Sequence, residues 1–259
     1  RTQGVSGTVK YSPVYHPEER INWTLSASFK HQKAKYEDIG NSLDQFNKEN
    51  LNTSLVRYYD GGSPTALWAV RSLGINPSDG RELFLTKEGT YTFEYDTEDE
   101  VVVGNSEPKL EGVLGSTLYW KGFSFSLYFR YSLGADVFTE ATYNKVENIS
   151  LAGLKSNQDK RALHDRWQKP GDHAKFKGIS LTETTPISSR FVLRENYIKA
   201  ESISVGYDFE SQAVQKLGIQ SLRLQANTTD LFRISSIKEE RGIEYPFARS
   251  FSFSLQVTF

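Results

Sequence analysis

The last ten residues of the chain alternate strictly between apolar and small polar side chains. Their apolar members are Phe251, Phe253, Leu255, Val257 and Phe259. Because side chains on a strand point to opposite faces with period two, residues 250–259 are predicted to form one strand with an oily face and a polar face. The segment is about as long as a tilted strand that crosses a bilayer. The pattern therefore predicts a transmembrane strand.

The same alternation recurs along the chain and predicts about seven strands in all. The clearest hairpin joins residues 110–120 to residues 123–133 through a turn at Lys121-Gly122. The other predicted strands are residues 5–11, 21–29, 203–209, 222–226 and 250–259. We therefore predict an all-β fold, in which residues 1–259 form a segment of one antiparallel transmembrane β-barrel domain.

The connections between the predicted strands are of two kinds. Some are tight turns, whereas residues 40–108, 136–188 and 232–246 are long and polar. Outer-membrane barrels have short turns on the periplasmic side and longer loops outside the cell, so these three segments are predicted to be extracellular loops. About seven strands are too few to close a barrel, and an open edge in lipid leaves backbone amides unpaired. We therefore expect further strands from the rest of a longer protein.

Composition excludes several other classes of protein. No apolar run approaches the roughly 18 residues of a membrane helix, which excludes a helical membrane protein. The net charge is -1 without a basic block, so nucleic-acid binding is not indicated. The chain has no Cys, which removes disulfides, thiolate metal sites and cysteine nucleophiles. No nucleophile, acid–base pair, metal cage or cofactor motif is recognisable, so we do not predict an enzyme.

A soluble β-sandwich is the main alternative, because period-two alternation also describes a sheet with its oily face turned inward. The face opposite the apolar one is rich in serine, for example Ser124, Ser126 and Ser132. Such a face suits a wet barrel lumen better than a packed core. Aromatic residues at strand ends, such as Trp23 and Trp120, are also typical of a membrane interface.

Several short segments resemble, in the same order, motifs of the SusC/RagA-type TonB-dependent outer-membrane transporters. They are residues 73–80 (Leu-Gly-Ile-Asn-Pro-Ser-Asp-Gly), 105–109, 119–123 (Tyr-Trp-Lys-Gly-Phe), 166–172 (Arg-Trp-Gln-Lys-Pro-Gly-Asp), 188–192, 202–207 and the terminal Phe259. One departure is Asn76, which stands where the family usually has Asp. Each motif is short, but the colinear series extends over most of the chain.

The resemblance implies about the last seven strands of a barrel of about 22 strands, with the plug domain and earlier strands absent from this chain. It implies TonB-dependent import of a nutrient, an oligosaccharide or an oligopeptide, across the outer membrane of a Bacteroidota-type bacterium. The implied partners are a SusD-like surface lipoprotein, the remainder of the transporter, TonB acting through the plug, and outer-membrane lipid. A passive porin or adhesin barrel without energy coupling is the alternative.

The most promising ligand-binding residues lie in the first long loop. The candidates are Arg57, Tyr58, Tyr59, Asp60, Trp68 and Arg71. Aromatic faces stack on sugar rings or peptide side chains, and neighbouring charged groups orient a ligand through hydrogen bonds. The alternative is that these rings pack the loop onto the barrel rim.

Two further clusters are not predicted to be sites. His164-Asp165-Arg166-Trp167 and Asp172-His173 lack the spacing of metal ligands, and Trp167 is expected to anchor the loop. The acidic residues Asp96, Glu98, Asp99 and Glu100 lack the order of a calcium loop, so they are predicted to be solvated. By resemblance, Phe259 is an aromatic signal for barrel assembly, and it also suits an aromatic girdle.

Overall fold

The computed structural model describes residues 1–180, 182–209, 218–238 and 249–259. Its strands are β1 (Thr2–His16), β2 (Ile21–Ala34), β3 (Ala66–Ile75), β4 (Glu82–Leu85), β5 (Tyr91–Thr92), β6 (Glu100–Asn105), β7 (Leu110–Trp120), β8 (Phe123–Phe138), β9 (Val192–Phe209), β10 (Ser221–Thr229), β11 (Arg233–Ser235) and β12 (Phe251–Thr258). The helical elements are α1 (Asp44–Glu49), α2 (Arg161–His164), a π-helix (Thr142–Glu147) and 3₁₀ turns at Thr97–Asp99, Gly153–Lys155 and Ser189–Phe191. Among these described residues, no helix is long and apolar enough to cross a membrane.

Seven strands form one continuous sheet in the order β1-β2-β7-β8-β9-β10-β12, and β11 adds to β9. Neighbouring strands pair antiparallel wherever their register is defined, as in β2–β7, β7–β8, β9–β10 and β10–β12. All seven predicted strands coincide with members of this sheet. Residues 5–11 lie in β1, 21–29 in β2, 110–120 in β7, 123–133 in β8, 203–209 in β9, 222–226 in β10 and most of 250–259 in β12. The prediction of an all-β antiparallel fold is confirmed.

The hairpin between β7 and β8 shows how the sequence sets the register. Its two turn residues, Lys121 (φ 46°) and Gly122 (φ 97°), both have positive φ, as a type I′ turn requires. The turn places Trp120 opposite Phe123, and Leu118 opposite Phe125. Most apolar side chains of the hairpin, from Leu114 to Phe129, therefore share one face, and Ser124, Ser126 and Ser132 lie on the other.

Close packing of an aromatic ring on a glycine fixes the same hairpin against β2. Tyr131 lies opposite Gly112, and its hydroxyl donates a 2.9 Å hydrogen bond to the carbonyl oxygen of Ser28. A Cβ atom at Gly112 would collide with that carbonyl and with the Tyr131 hydroxyl. The position therefore requires glycine because the neighbouring strand approaches too closely for any side chain.

The two faces of the seven-stranded sheet differ in chemistry. On the apolar face, Trp120 and Phe123 remain about half exposed, at 51% and 50%. The polar face carries cross-strand hydrogen bonds and ion pairs, including Lys30 with Glu111 at 3.0 Å. Exposed rings on one face and paired polar groups on the other match a lipid-facing barrel wall, and they are the reverse of a soluble sandwich.

The chain divides into two compact units. The strand unit comprises Gly4–Gln32, Pro108–Gly134 and Glu195–Phe259, and the loop unit comprises Arg1–Gln3, Lys33–Glu107 and Ala135–Arg194. The assignment of all residues 1–259 to one barrel domain stays a prediction.

The loop unit contains ordered structure in two of the segments predicted as long loops. Within residues 40–108 the strands pair antiparallel in the order β5-β4-β3-β6. Within residues 136–188 and just after them lies an apolar core of Val146, Ile149, Ala162, Phe176 and Phe191. In the third predicted loop, residues 239–246 lie outside the described part of the chain.

A charged residue introduced on the apolar face of β8 tests whether that face contacts lipid. We expect Leu127→Arg, in the full transporter that contains this chain, to lower the free energy of unfolding in lipid vesicles by about 2–4 kcal/mol if the residue lies near the bilayer midplane. The matched control is Ser126→Arg on the polar face, which should have little effect. Urea titration of both variants measures the difference. Equal sensitivity at the two positions would contradict the assignment of the apolar face to lipid.

Candidate functional site

Arg57, one of the predicted ligand-binding residues, is turned into the loop unit and is only 2% exposed. Its guanidinium forms a two-pronged ion pair with Glu100 (2.8 and 2.9 Å) and donates to the carbonyl oxygens of Ser54 and Val56. Burial raises the pKa of Glu100, and the charge and hydrogen bonds of Arg57 oppose this increase. The pair ties the segment before Tyr58 to the start of β6.

Tyr58 and Asp60 also have partners within the loop unit. The Asp60 carboxylate accepts hydrogen bonds from the backbone amides of Ile39 (2.8 Å) and Gly40 (2.9 Å). The Tyr58 ring packs edge-on against Phe46, with ring centroids 5.6 Å apart. These two side chains therefore shape the loop around them.

Tyr59 and Trp68 form the accessible part of the predicted ligand site. Their ring centroids are 5.4 Å apart, and Tyr59 is 42% exposed. Arg71 lies three residues further along β3 than Trp68, so its side chain leaves the opposite face of the strand. The Nε atom of Arg71 is buried and has no hydrogen-bond partner among the described residues. The structure thus brings together two of the six candidates as an aromatic pair, in which Tyr59 is exposed and Trp68 is partly buried.

A buried charge network that the sequence did not predict lies elsewhere in the loop unit. Arg190 donates to both carboxylate oxygens of Glu82 (2.9 and 3.2 Å) and to both of Glu147 (each 3.1 Å). Ser188 completes the shell of Glu82 at 2.6 Å, and Thr185 that of Glu147 at 2.9 Å. Burial by itself lowers the pKa of Arg190, but hydrogen bonds and charges from the two carboxylates outweigh it, and the pKa is raised.

Arg166 supplies a second buried cation close to this network. It donates to the carbonyl oxygens of Val146, Glu147 and Lys177. Burial lowers the pKa of the Arg166 guanidinium, Arg190 adds to this effect, and the charge of Glu147 opposes it. The four side chains of Glu82, Glu147, Arg166 and Arg190 are formally neutral as a set. In the sequence, Arg190 drew attention only as part of segment 188–192, which resembles a motif of the family. Its acidic partners Glu82 and Glu147 lie far away along the chain, so the sequence did not predict the network.

Trp167 anchors its loop as expected from the sequence. Its indole Nε1 donates a 2.9 Å hydrogen bond to the carbonyl oxygen of Pro77, and the amide of Gly171 donates to the same oxygen at 2.8 Å. Two segments that resemble family motifs, residues 73–80 and 166–172, are therefore docked on each other.

The remaining charged clusters have local roles. Asp96 accepts a hydrogen bond from the amide of Glu98, Asp99 accepts one from the amide of Lys87, and Glu100 is the partner of Arg57. His164, Asp165, Asp172 and His173 border an open cleft. Across the described ranges, no three His, Asp or Glu side chains are placed to hold a metal ion.

Phe259 follows β12 and is 79% exposed.

Removal of the Arg190 side chain should destabilise the loop unit. We expect Arg190→Leu to leave two buried carboxylates without their cation and to lower the free energy of unfolding of the loop unit by about 3–5 kcal/mol. The matched control is Arg81→Leu, because the ion pair of Arg81 with Asp79 lies at the surface. Limited proteolysis of the full transporter against urea measures both. Equal protease resistance of Arg190→Leu and the unmodified protein would show that the network does not hold this unit together.

Comparison with known sequences finds relatives of this chain. No family model matches the chain. It is 24% identical over 161 residues to TonB-dependent receptor P39 of Formosa agariphila, a match that covers 61% of this chain and 15% of the relative. TonB-dependent receptor P26 of the same organism is 24% identical over 281 aligned positions, covering 93% of this chain and 27% of the relative.

Solved structures show the same fold. The RagAB peptide importer in its open-open state superposes with a TM-score of 0.74 at 17% identity, covering 100% of this chain and 28% of that chain. The RagAB peptide transporter gives a TM-score of 0.72 at 16% identity, covering 91% and 26%. The chain spans less than a third of the length of these proteins. The sequence relatives confirm the resemblance of this chain to TonB-dependent receptors, and the solved structures show that it shares the fold of the RagAB transporter.

Proposed function

We propose that this chain forms part of the barrel wall and the outer loops of a TonB-dependent nutrient importer in the outer membrane of a Bacteroidota-type bacterium. The observation that carries the proposal is the structural match to a solved peptide importer, which covers 100% of this chain with a TM-score of 0.74. The sequence relatives named TonB-dependent receptors support the same function. The cargo is an oligosaccharide or an oligopeptide.

The importer works without covalent chemistry on its cargo. The strand unit supplies an apolar face to outer-membrane lipid and a hydrogen-bonded polar face to the lumen. A SusD-like lipoprotein closes over the outer loops, and TonB acts on a plug domain carried by the rest of the transporter. Phe259 serves as the aromatic signal for barrel assembly. One solved neighbour is the RagAB peptide importer, which supports a surface partner.

Dependence on energy separates this proposal from a passive porin or adhesin. We expect cells that produce the full transporter to accumulate its cargo only when TonB is present. The measurement is uptake of labelled oligosaccharide and oligopeptide mixtures in cells with and without the tonB gene. Uptake that is equal in both strains would establish a passive pore and overturn active import.

The aromatic pair of Tyr59 and Trp68 is our candidate for cargo contact. We expect Tyr59→Ala and Trp68→Ala to reduce growth on the imported nutrient, because each removes a ring on which a sugar or a peptide side chain can stack. Stacking of a nucleobase on an aromatic side chain contributes about 1–3 kcal/mol to binding in other proteins, which corresponds to roughly 5- to 150-fold in affinity. We expect a loss of similar size for each ring removed here.

Surface abundance must be measured together with growth, because both rings also pack on each other. The matched control is Tyr91→Ala, which removes an exposed ring of the same loop unit that lies outside the pair. Normal growth of both pair variants at normal abundance would remove Tyr59 and Trp68 from the ligand site.

A further inference from the structure

A cavity of about 210 Å³ lies beside Trp167 in the loop unit, apart from the pair of Tyr59 and Trp68. Its walls include Gly80, Trp167, Lys177, Gly178, Ser180 and Glu183. Pockets for drug-sized ligands measure about 300–1,000 Å³, so this cavity has room for a single small ring.

The indole of Trp167 is held rigidly at the wall of this cavity. Its Nε1 is fixed by the carbonyl oxygen of Pro77 at 2.9 Å. On the side of Gly80 there is no room for a side chain, because a Cβ atom there would lie 2.5 Å from the ring. Gly80 also has a positive φ of 73°, which favours glycine. Gly178 lies further from the ring, since a Cβ atom there would be 3.8 Å from it, an ordinary contact distance. A ligand that meets the indole therefore finds it already ordered, which reduces the entropy cost of binding.

The charged groups around the cavity are balanced. Asp79 is already paired with Arg81 at 2.7 Å, and Glu147 is paired with Arg190 at 3.1 Å. This leaves the Lys177 ammonium and the Glu183 carboxylate, which have no ion-pair partner among the described residues. A ligand with charge of a single sign would be attracted by one of these groups and repelled by the other. A neutral ligand can accept a hydrogen bond from Lys177 and donate one to Glu183 without that conflict.

We infer that this cavity binds one pyranose ring of a neutral glycan. A pyranose combines an apolar C–H face, which fits the indole, with a rim of hydroxyl groups, which fits Lys177 and Glu183. The inference rests on the proposed function, since it assigns a sugar-binding site to the importer and favours an oligosaccharide over an oligopeptide as cargo.

The test uses the full transporter purified in detergent and isothermal titration with methyl glycosides of glucose, galactose, mannose, xylose and fucose. We expect saturable binding of at least one glycoside. Glu183→Gln removes a charged acceptor and should weaken that binding by about tenfold. Trp167→Phe should also weaken it. Glu88→Gln changes an exposed carboxylate that does not line the cavity and should have no effect.

We do not expect Glu183→Gln to disturb folding, because the Glu183 side chain makes no hydrogen bond within the described residues. Trp167 also anchors the loop to Pro77, so a loss of binding in Trp167→Phe could reflect either a changed ligand contact or a changed loop. Absence of saturable binding by all five glycosides would overturn the inference. So would binding that Glu183→Gln leaves unchanged. Binding of triglycine or free lysine in place of the sugars, lost in Glu183→Gln, would assign the cavity to a peptide ligand and equally overturn it.

Uptake measured in parallel separates this inference from the proposed function. If import depends on TonB but Glu183→Gln does not affect sugar binding, the cavity assignment fails and the importer stands. If glycoside binding depends on Glu183 but uptake is independent of TonB, the sugar site stands and active import fails.

Discussion

The antiparallel hydrogen-bond ladder between neighbouring strands is the constraint on which the strand unit depends. In a hydrocarbon environment each backbone amide must be paired within the protein, so a strand cannot lose its neighbour without a cost of several kcal/mol per group. A slip of one residue would also exchange the apolar and polar faces of a strand. The type I′ turn at Lys121-Gly122 and the packing of Tyr131 on Gly112 prevent that slip in the central hairpin. Local turn chemistry thus decides which side chains lie on the apolar face.

The loop unit depends on buried charges as well as on its apolar core. Arg190 joins β4, through Glu82, to the π-helix that ends at Glu147, and Arg57 joins its own segment to β6 through Glu100. Buried ion pairs add little net stability compared with apolar contacts, but the loss of one partner is costly. We interpret these pairs as devices of specificity. Each arginine is fully paired only when a carboxylate from a distant part of the chain lies next to it: Glu100 for Arg57, and both Glu82 and Glu147 for Arg190. This requirement selects one packing among the many that long polar segments could adopt.

The seven strands of the main sheet were predictable from sequence because each has two chemically different faces. The terminal strand and the β7–β8 hairpin show period-two alternation, and their register follows from the turn. Strand β3 was missed for a physical reason. It is largely buried on both faces, from Ala66 to Val70, so its sequence reads as a continuous apolar run and not as an alternation. The partnership of Arg57 with Glu100 was also beyond reach, because no local pattern signals a contact over 43 positions.

The candidate site shows the limit of choosing ligand-binding residues by type. Arg57 and Asp60 have the chemistry that binds cargo in many proteins, but their hydrogen-bonding groups are occupied by Glu100, by backbone carbonyls and by backbone amides. A polar group contributes to recognition when its donors or acceptors are still available at an accessible surface. Tyr59 and Trp68 meet that condition with their rings, and Lys177 and Glu183 meet it with their charges. Residue type alone did not separate Tyr59 and Trp68 from Arg57 and Asp60, and it did not single out Lys177 and Glu183. Availability is a property of the fold and depends on which partners the rest of the chain brings within reach.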